Sequence, residues 1–348
     1  MARPPGLLDR LSPRTKLALA AGGGAVGALW LGRQFQSEGL VRFAPAVLGA
    51  LGGYALERSG VAPGLGYGVA AGGLGAALIG RTAPLLTDGA QRGLALTIWD
   101  GDGLDEAWAN QRQTALAVRP EIILLHFGGI GSDAAASSIA RQVRETLGAN
   151  QRIWIQVYGD GVVTDGPDGL VRFAGAVQRA IRAEGLVWNL ERGVRVAGGA
   201  QAIQRLYAAT RVAMPGVPMG HTAYSNPSVH RDSYPWAAAL GGEGFAQAPD
   251  FTLPQMYPFG DGTRSGTIDG ALMDGLAAGA WGGWQTARAN GVLGPRVQVG
   301  VYLPGAHVPA DALVRAAAPA QLVALWPWHG VYDATGTEAA VRIAARLR

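Results

Sequence analysis

The sequence predicts an α/β fold, a (β/α)8 TIM barrel, preceded by a separate Gly/Ala-rich N-terminal segment. The composition of the 348-residue chain changes near residue 90, where long uncharged apolar runs are followed by shorter apolar runs mixed with polar and charged residues. From there, eight short runs rich in β-branched and aromatic residues alternate with Ala/Arg-rich helical stretches. Eight such units over about 255 residues match the usual size of a (β/α)8 barrel.

Alternating strands and amphipathic helices favour a parallel sheet with helices outside it. The predicted strands are 94–99, 121–127, 152–158, 186–190, 217–224, 251–257, 297–302 and 321–326. The predicted helices are 133–147, 170–184, 199–211, 268–290, 310–317 and 336–347. A doubly wound open sheet is the alternative. It would usually carry a Gly-rich phosphate turn after its first strand, but the turn here reads Asp100-Gly101-Asp102-Gly103, whose carboxylates would repel phosphate.

Composition excludes several classes of protein. Hydrophobic residues make up 49% of the chain, so a large core can form and global disorder is excluded. The chain has no cysteine, which excludes a disulfide scaffold, a thiolate zinc site and a cysteine nucleophile. Charged residues are only 16% and glycines number 54, so the surface is sparsely charged and the backbone is glycine-rich.

The basic net charge of +4 does not indicate a nucleic-acid-binding protein. Residues 1–90 contain eight Lys and Arg against four Asp and Glu, while the rest of the chain has equal numbers of both signs. A groove that follows phosphates needs clustered basic side chains with interleaved aromatic residues. The C-terminal body has no such stripe, so we predict no nucleic-acid partner.

The N-terminal segment predicts membrane association. Three uncharged apolar runs, 17–32, 43–56 and 59–80, are separated by short stretches with two or three charged residues each, and glycines within the runs would allow helices to approach closely. Only the third run reaches the ~20 residues that span a bilayer. We therefore predict a helical, membrane-associated segment within 1–90, contacting the membrane through residues 17–80, and a barrel over 91–348. A cleaved secretory signal and a soluble helical appendage are the alternatives.

In a (β/α)8 barrel, functional side chains come from the carboxyl ends of the strands. The polar and aromatic residues at those positions are Asp100, Asp102, His126, Asp160, Glu191, Tyr224, Asn226, Tyr257, Tyr302, Trp326, Trp328 and His329. Carboxylates walled by aromatic rings are typical of a sugar site, because rings stack on sugar C–H faces and two carboxylates divide acid and base or nucleophile roles.

The strand motifs resemble carbohydrate-active barrels. The fourth strand, Gly185-Leu186-Val187-Trp188-Asn189-Leu190-Glu191, resembles the D-x-E strand of lysozyme-type muramidases and chitinase-like glycosidases, in which the final Glu donates a proton. Asp100 corresponds to the first-strand Asp of the muramidase pattern. Gln255-Met256-Tyr257 resembles the sixth-strand M-x-Y of chitinase-like barrels, and Trp326 falls where both families place an eighth-strand Trp.

Two positions depart from those patterns. Asn189 stands where both families have Asp, and Pro258 follows Tyr257 where the chitinase motif has Asp. An asparagine cannot act as a base, but its amide can still orient an N-acetyl group by hydrogen bonding. The departures favour a second hypothesis, a catalytically silent barrel that binds glycan.

The resemblance implies a glycoside hydrolase acting on a β-linked amino-sugar polymer such as peptidoglycan, without a cofactor. The alternative is a silent TIM barrel serving as a glycan-binding or structural component of an envelope-associated or viral assembly. Either role places the barrel on the extracytoplasmic side of a membrane or in a virion. The predicted catalytic residues are Glu191, Asp100 and Asp102, and the predicted substrate-binding residues are Asn189, Tyr224, Tyr257, Trp326 and Trp328.

Simpler interpretations exist for some of these residues. Glu191 precedes Arg192 and could form a surface ion pair, and the Asp-Gly sequences after the first strand could simply shape a turn. The histidines lack the spacing of a helix-borne zinc site. His221 and His230 fall in the predicted loop 220–250 with acidic residues, which leaves a metal site there as a minor alternative, and we predict none.

Overall fold

The computed structural model describes residues 90–99, 103–128, 133–258, 268–327 and 330–348. Its strands are β1 (Gly93–Trp99), β2 (Ile122–Phe127), β3 (Arg152–Tyr158), β4 (Gly185–Asn189), β5 (Met219–Thr222), β6 (Phe251–Thr252), β7 (Gln298–Val299), β8 (Val301–Pro304) and β9 (Leu322–Trp326). Its helices are α1 (Leu104–Val118), α2 (Asp133–Leu147), α3 (Val162–Asp165), α4 (Asp168–Ile181), α5 (Gly199–Ala213), α6 (Trp236–Ala239), α7 (Gly270–Ala289), α8 (Ala310–Ala317) and α9 (Ala334–Leu347).

The strands form one parallel sheet that closes into a barrel. The sheet order is β7-β6-β5-β4-β3-β2-β1-β9-β8, and every pairing is parallel. Its two end strands, β7 and β8, are separated only by Gly300, whose N–H donates to the carbonyl of Thr252 over 2.8 Å. β7 and β8 are therefore two segments of one barrel strand, which pairs with β6 on one side and β9 on the other. The predicted eight-stranded parallel barrel is confirmed.

Alternation along the strands produces two apolar layers, because successive side chains of a strand point to opposite faces. One face fills the barrel interior, where Ala95, Leu124, Trp154, Phe251 and Tyr302 are fully buried. The other face packs against the helices. This arrangement explains why most strands read as continuous apolar runs, since both of their faces are buried.

Two strands are shorter than predicted. The run 217–224 forms a ladder only over Met219–Thr222, and 251–257 pairs regularly only over Phe251–Thr252. Pro218 and Pro254 have no N–H to donate to a ladder, and β-ladders normally stop at such positions. Beyond Pro254, a single parallel bridge joins Gln255 to Tyr302, so the chain still follows the barrel wall as far as the site.

Helix α1 was not among the predicted helices. Its buried face includes Gln111 and Thr114, which interrupt the apolar period that marks a helix in the sequence. Both side chains bond distant residues: the Gln111 amide donates to the carbonyl of Gly330 over 3.0 Å, and Thr114 bonds Thr337 over 3.2 Å. Tertiary contacts that the local pattern cannot reveal therefore stabilise this helix.

The predicted membrane segment 17–80 lies outside the described residues, so both it and the predicted boundary at residue 90 stay predictions. None of the helices in the described part of the chain combines the length and the apolar sequence that a transmembrane span requires.

Replacement of Gly220 by alanine is expected to lower the free energy of unfolding by about 1–3 kcal/mol, because the interior has no room for a methyl group. A Cβ at this position would lie 2.2 Å from the Phe251 ring, which itself packs against Trp154 with ring centroids 5.1 Å apart. Chemical denaturation measures the change. The matched control is Gly279→Ala, in α7, where a Cβ meets no atom within 4 Å.

An alanine in the middle of a helix is favourable by up to about 1 kcal/mol over glycine, so the control variant is expected to be as stable as the wild type or more stable. Equal stability of Gly220→Ala and wild type would contradict the close contact with Phe251.

Candidate active site

Glu191 lies directly after β4 at the carboxyl-terminal mouth of the barrel. Its side chain is half-buried, and its Oε1 accepts a hydrogen bond of 2.9 Å from Nε2 of Gln255. The same Gln255 nitrogen lies 3.2 Å from Oδ1 of Asn189. A glutamine amide has two N–H donors, so one side chain serves both acceptors and fixes Asn189 and Glu191 relative to each other.

This contact also assigns the orientation of the Asn189 amide. Because its Oδ1 accepts from Gln255, its NH₂ group is the end left to donate. Asn189 is buried, with 7% of its surface exposed. The arrangement provides a fixed N–H donor two residues before Glu191.

Asp160, directly after β3, holds the backbone of the site. Its Oδ1 accepts a short hydrogen bond from the main-chain N–H of Glu191, and its Oδ2 accepts from the Tyr158 hydroxyl over 2.7 Å. The loop after Glu191 then passes so close to Asp160 that a Cβ on Gly193 would lie 2.1 Å from the Asp160 carbonyl oxygen. One carboxylate oxygen of Asp160 therefore holds the main chain of Glu191, while the other is held by Tyr158.

The carboxylates influence the surrounding phenols. Burial and the hydrogen bond to Asp160 raise the pKa of Tyr158, with Glu191 adding to the effect. Burial raises the pKa of Tyr257 well above its usual value, and Tyr302 and Glu191 raise it further. Both phenols stay protonated at neutral pH, and Tyr158 uses its proton in the hydrogen bond to Asp160.

Aromatic rings line the neighbouring wall of the barrel. Tyr257 lies 6.0 Å from Tyr302, Tyr302 lies 5.9 Å from Trp326, and Trp326 lies 5.5 Å from Trp99, all as ring-centroid distances. The His126 ring meets Trp326 edge-on at 5.0 Å. The half-buried rings of Trp99, Tyr257 and Trp326 carry the wall from the barrel interior toward its mouth.

The structure brings several predicted site residues together. Glu191 and Asn189 share the Gln255 amide, and Tyr257 and Tyr224 are close enough to Glu191 for its charge to raise their pKa. Trp326 joins the same region through the ring of Tyr302. Asp100, Asp102 and Trp328 lie outside the described residues, so their predicted roles stay predictions.

No catalytic or binding role was predicted for two residues of the site. Asp160 occupies the same place after β3 that Glu191 occupies after β4, and neighbouring parallel strands bring those positions together. This equivalent position after the neighbouring strand is the signal by which the sequence could have identified Asp160. Gln255 appeared only as part of a strand motif, because its contact with Glu191 joins residues 64 positions apart in the sequence. Among the described residues, Glu191 forms no ion pair with Arg192 or any other base.

The structure places His221, one of the two histidines of the metal-site alternative, inside the fold. This residue lies in β5 rather than in a loop, and its ring nitrogens bond the Thr252 hydroxyl over 3.1 Å and the Tyr234 hydroxyl over 2.7 Å. Within the described part of the chain, no group of three His, Asp or Glu side chains is arranged to hold a metal ion.

A cavity of about 540 Å³ lies between the chain at 227–245 and helix α7, and Glu191 is not among the residues that line it. Its lining includes Trp236, Phe245 and Thr286, and it contains none of the strand-end carboxylates. We assign the candidate active site to the barrel mouth, because the titratable side chains and their bonded partners converge there rather than at the cavity.

Comparison with known proteins gives structural matches only. No model of a known protein family matches the chain, and no curated protein matches its sequence. The chain is similar in structure to a chitinase from Chromobacterium violaceum, at 11% identity and a TM-score of 0.49, over 74% of this chain and 100% of that one.

Two further solved structures are similar. One is the GH18 chitinase ChiB of Flavobacterium johnsoniae, at 9% identity and a TM-score of 0.47, over 74% of this chain and 94% of that one. The other is the spore cortex-lytic enzyme SleL of Bacillus megaterium, at 8% identity and a TM-score of 0.48, over 73% and 74% of the two chains. Because one barrel fold supports many chemistries, the function of this chain must be argued from its site.

Proposed function

We propose that the barrel is a glycoside hydrolase that acts on a β-linked amino-sugar polymer such as peptidoglycan. The observation that carries this proposal is the half-buried Glu191 carboxyl group, fixed by the Gln255 amide at the barrel mouth beside an aromatic wall. A positioned carboxyl group next to ring faces is the combination that glycosidic cleavage requires.

Glu191 is the proposed proton donor. Gln255 occupies Oε1, which leaves Oε2 to meet the glycosidic oxygen of the leaving sugar. Asp160 holds the Glu191 main chain, so the carboxyl group is positioned from both its backbone and its side chain. Positioning of this kind is what makes general acid catalysis efficient.

Asn189 is the proposed orienting residue. Its amide nitrogen is the free donor end, and it can bond the carbonyl of an N-acetyl group on the sugar. Tyr257 and Trp326 would line the sugar subsite with ring faces. Asp100 and Asp102, after the strand on which the muramidase pattern places an Asp, are the proposed opposing carboxylates.

The second candidate function is a glycan-binding barrel without turnover. The observation that favours it is Asn189 itself, an amide in the position where the resembled families carry a carboxylate. A binding barrel needs the aromatic wall and the amide donor but no acid. Either function fits the earlier prediction of a barrel outside the cytoplasmic membrane or in a virion.

The variant Asn189→Asp distinguishes the two functions. If the wild type is an enzyme that uses the Asn189 N–H to orient substrate, the variant is expected to lose about tenfold in kcat/KM, which corresponds to one hydrogen bond of about 1–1.5 kcal/mol. Release of reducing ends from chito-oligosaccharides and from peptidoglycan glycan strands measures turnover.

The result that contradicts the hydrolase is an inactive wild type that binds these glycans and gains turnover in Asn189→Asp, which identifies a silent binding barrel. Absence of both binding and turnover in the wild type contradicts both candidate functions.

A further inference from the structure

A cluster of positive and donor groups lies in the loops that follow β4 and β5, near Glu191. Arg195 follows Glu191 in the loop after β4, and Tyr224 and His230 follow β5. The Arg195 guanidinium donates from Nε to the Ser233 hydroxyl over 3.1 Å, and its Nη1 lies 3.4 Å from Nε2 of His230. The groups that contact this guanidinium are therefore neutral or basic.

Arg195 has no anionic partner in the described part of the chain, unlike Arg211 and Arg152, two other half-buried arginines. Arg211 bonds Asp250 over 2.8 Å, and Arg152 bonds Glu184 over 3.1 Å. Among the described residues, no carboxylate lies within ion-pair distance of Arg195. An N–H group that is removed from water without a hydrogen-bond acceptor raises the free energy of the fold. A half-buried guanidinium is therefore stabilised by an acceptor, and most strongly by an anionic one.

Tyr224 supplies a second donor next to this guanidinium. Its hydroxyl oxygen is buried with the Arg195 side chain close by, and no described residue accepts a hydrogen bond from the Tyr224 O–H. Burial raises the pKa of Tyr224, Arg195 lowers it, and the charges of Glu191 and Asp160 raise it. The hydroxyl is thus electrostatically coupled both to the guanidinium and to the candidate catalytic carboxylate.

The backbone fixes both groups in place. The loop that carries Arg195 is held against Asp160 at Gly193 and turned by a bond from the Arg195 N–H to the Arg192 carbonyl over 3.1 Å. On the other side, His230 adopts a left-handed backbone conformation, with φ of 55°, and its ring meets the Tyr224 ring at 4.3 Å. Non-glycine residues seldom adopt this conformation, so we infer that the local structure requires it at His230.

We propose that Arg195 and Tyr224 form an anion-binding subsite beside Glu191, which receives a sugar carboxylate adjacent to the bond that Glu191 cleaves. This inference rests on the proposed function and specifies its substrate class: a polysaccharide in which alternate amino sugars carry a carboxylate, rather than a neutral one. The planar guanidinium fork matches the two oxygens of a carboxylate, and the Tyr224 O–H donates to one of them.

The test compares three glycans of equal length by isothermal titration calorimetry with the full-length protein. The first is an alternating N-acetylglucosamine–N-acetylmuramic acid strand without peptides, which has free lactyl carboxylates. The second is the same strand as its methyl ester, and the third is a neutral chito-oligosaccharide. The wild type is expected to bind the free acid about 10–100-fold more tightly than either neutral probe, as charge-assisted hydrogen bonds predict.

Arg195→Gln is expected to abolish that preference and to leave the affinity for the two neutral probes unchanged. Arg195→Lys keeps the positive charge but lacks the two parallel N–H donors of the guanidinium, and is expected to retain part of the preference for the free acid. Tyr224→Phe removes only the hydroxyl and is expected to reduce the preference several-fold, while Arg205→Gln, exposed on α5, is the matched control and is expected to change nothing.

The outcomes separate this subsite from the proposed function. Equal wild-type affinity for the three probes overturns the subsite, even if all three are cleaved. Equal losses for charged and neutral probes in Arg195→Gln also overturn it, because they indicate a general structural role. Preferential binding of the free acid without cleavage supports the subsite and contradicts the hydrolase.

Discussion

Replacement of Glu191 by glutamine is expected to lower glycan turnover by about 10²–10⁴-fold while glycan binding is retained. Glutamine keeps the size of the side chain and can still accept from the Gln255 amide, but it has no acidic proton to donate. General acid catalysis commonly contributes a factor of this size. The measurement is the rate of reducing-end release from peptidoglycan strands, together with calorimetric affinity for the same strands.

The matched control for this variant is Glu184→Gln. Glu184 is an exposed carboxylate that pairs with Arg152 at the opposite end of the barrel strands, and its loss is expected to leave turnover unchanged. An active Glu191→Gln variant would remove Glu191 from the mechanism. A large loss of binding with the same variant would instead assign Glu191 to substrate positioning.

The free energy of unfolding is expected to fall as pH decreases below about 6.5, because His221 is buried as a neutral imidazole. Burial lowers the pKa of His221 to about 3. Tyr234 donates to the Leu190 carbonyl over 3.0 Å, so its oxygen accepts from Nε2–H of His221, and Nδ1 accepts from Thr252. A second proton, on Nδ1, would reverse the hydrogen bond with Thr252 and place a charge in the buried interior.

The unfolded chain takes up this proton near the ordinary histidine pKa of about 6.5, whereas the folded chain resists it down to about pH 3. The contribution of neutral His221 to the free energy of unfolding is therefore fully present above pH 6.5, the ordinary histidine pKa, and is lost as the pH falls toward 3. The slope is about 1.4 kcal/mol per pH unit within this window. Denaturant titrations at several pH values measure it.

His221→Asn is expected to be less stable at neutral pH and to show a smaller slope, because the titrating group is removed. His230→Asn is the control: its ring is only half-buried, and its removal is expected to change the slope less. Parallel stability curves for His221→Asn and wild type between pH 6.5 and 3 would contradict a buried neutral histidine in β5.

Much of the barrel could be predicted from the sequence, because each strand and most helices carry their own local signal. Helices α2 and α8 begin and end at the predicted residues. The strand positions follow from short β-branched runs that are buried on both faces. Helix α1 could not be predicted, because Gln111 and Thr114 bury polar groups whose partners, Gly330 and Thr337, are more than 200 residues away.

The candidate site was only partly predictable. Glu191 and Asn189 could be placed at the end of one strand, since a two-residue spacing puts both on the same face. The partners that fix them could not be identified: Gln255 reaches them from another strand, and Asp160 bonds the Glu191 main chain rather than its side chain. A sequence pattern shows the types of side chain and the spacing of the apolar ones. Neither of these reveals a hydrogen bond between residues of different strands.

The sequence by itself determined that this protein contains eight alternating strand–helix units and that a carboxylate follows the fourth strand. It did so because hydrophobic periodicity and turn residues act within a few residues of one another. Only the tertiary structure decided that Gln255 bridges Asn189 and Glu191, that Asp160 holds the loop, and that Tyr224 lies close to both Arg195 and Glu191. Barrel closure brings these residues together from different strands, so their contacts depend on the register of the closed sheet and not on any local pattern.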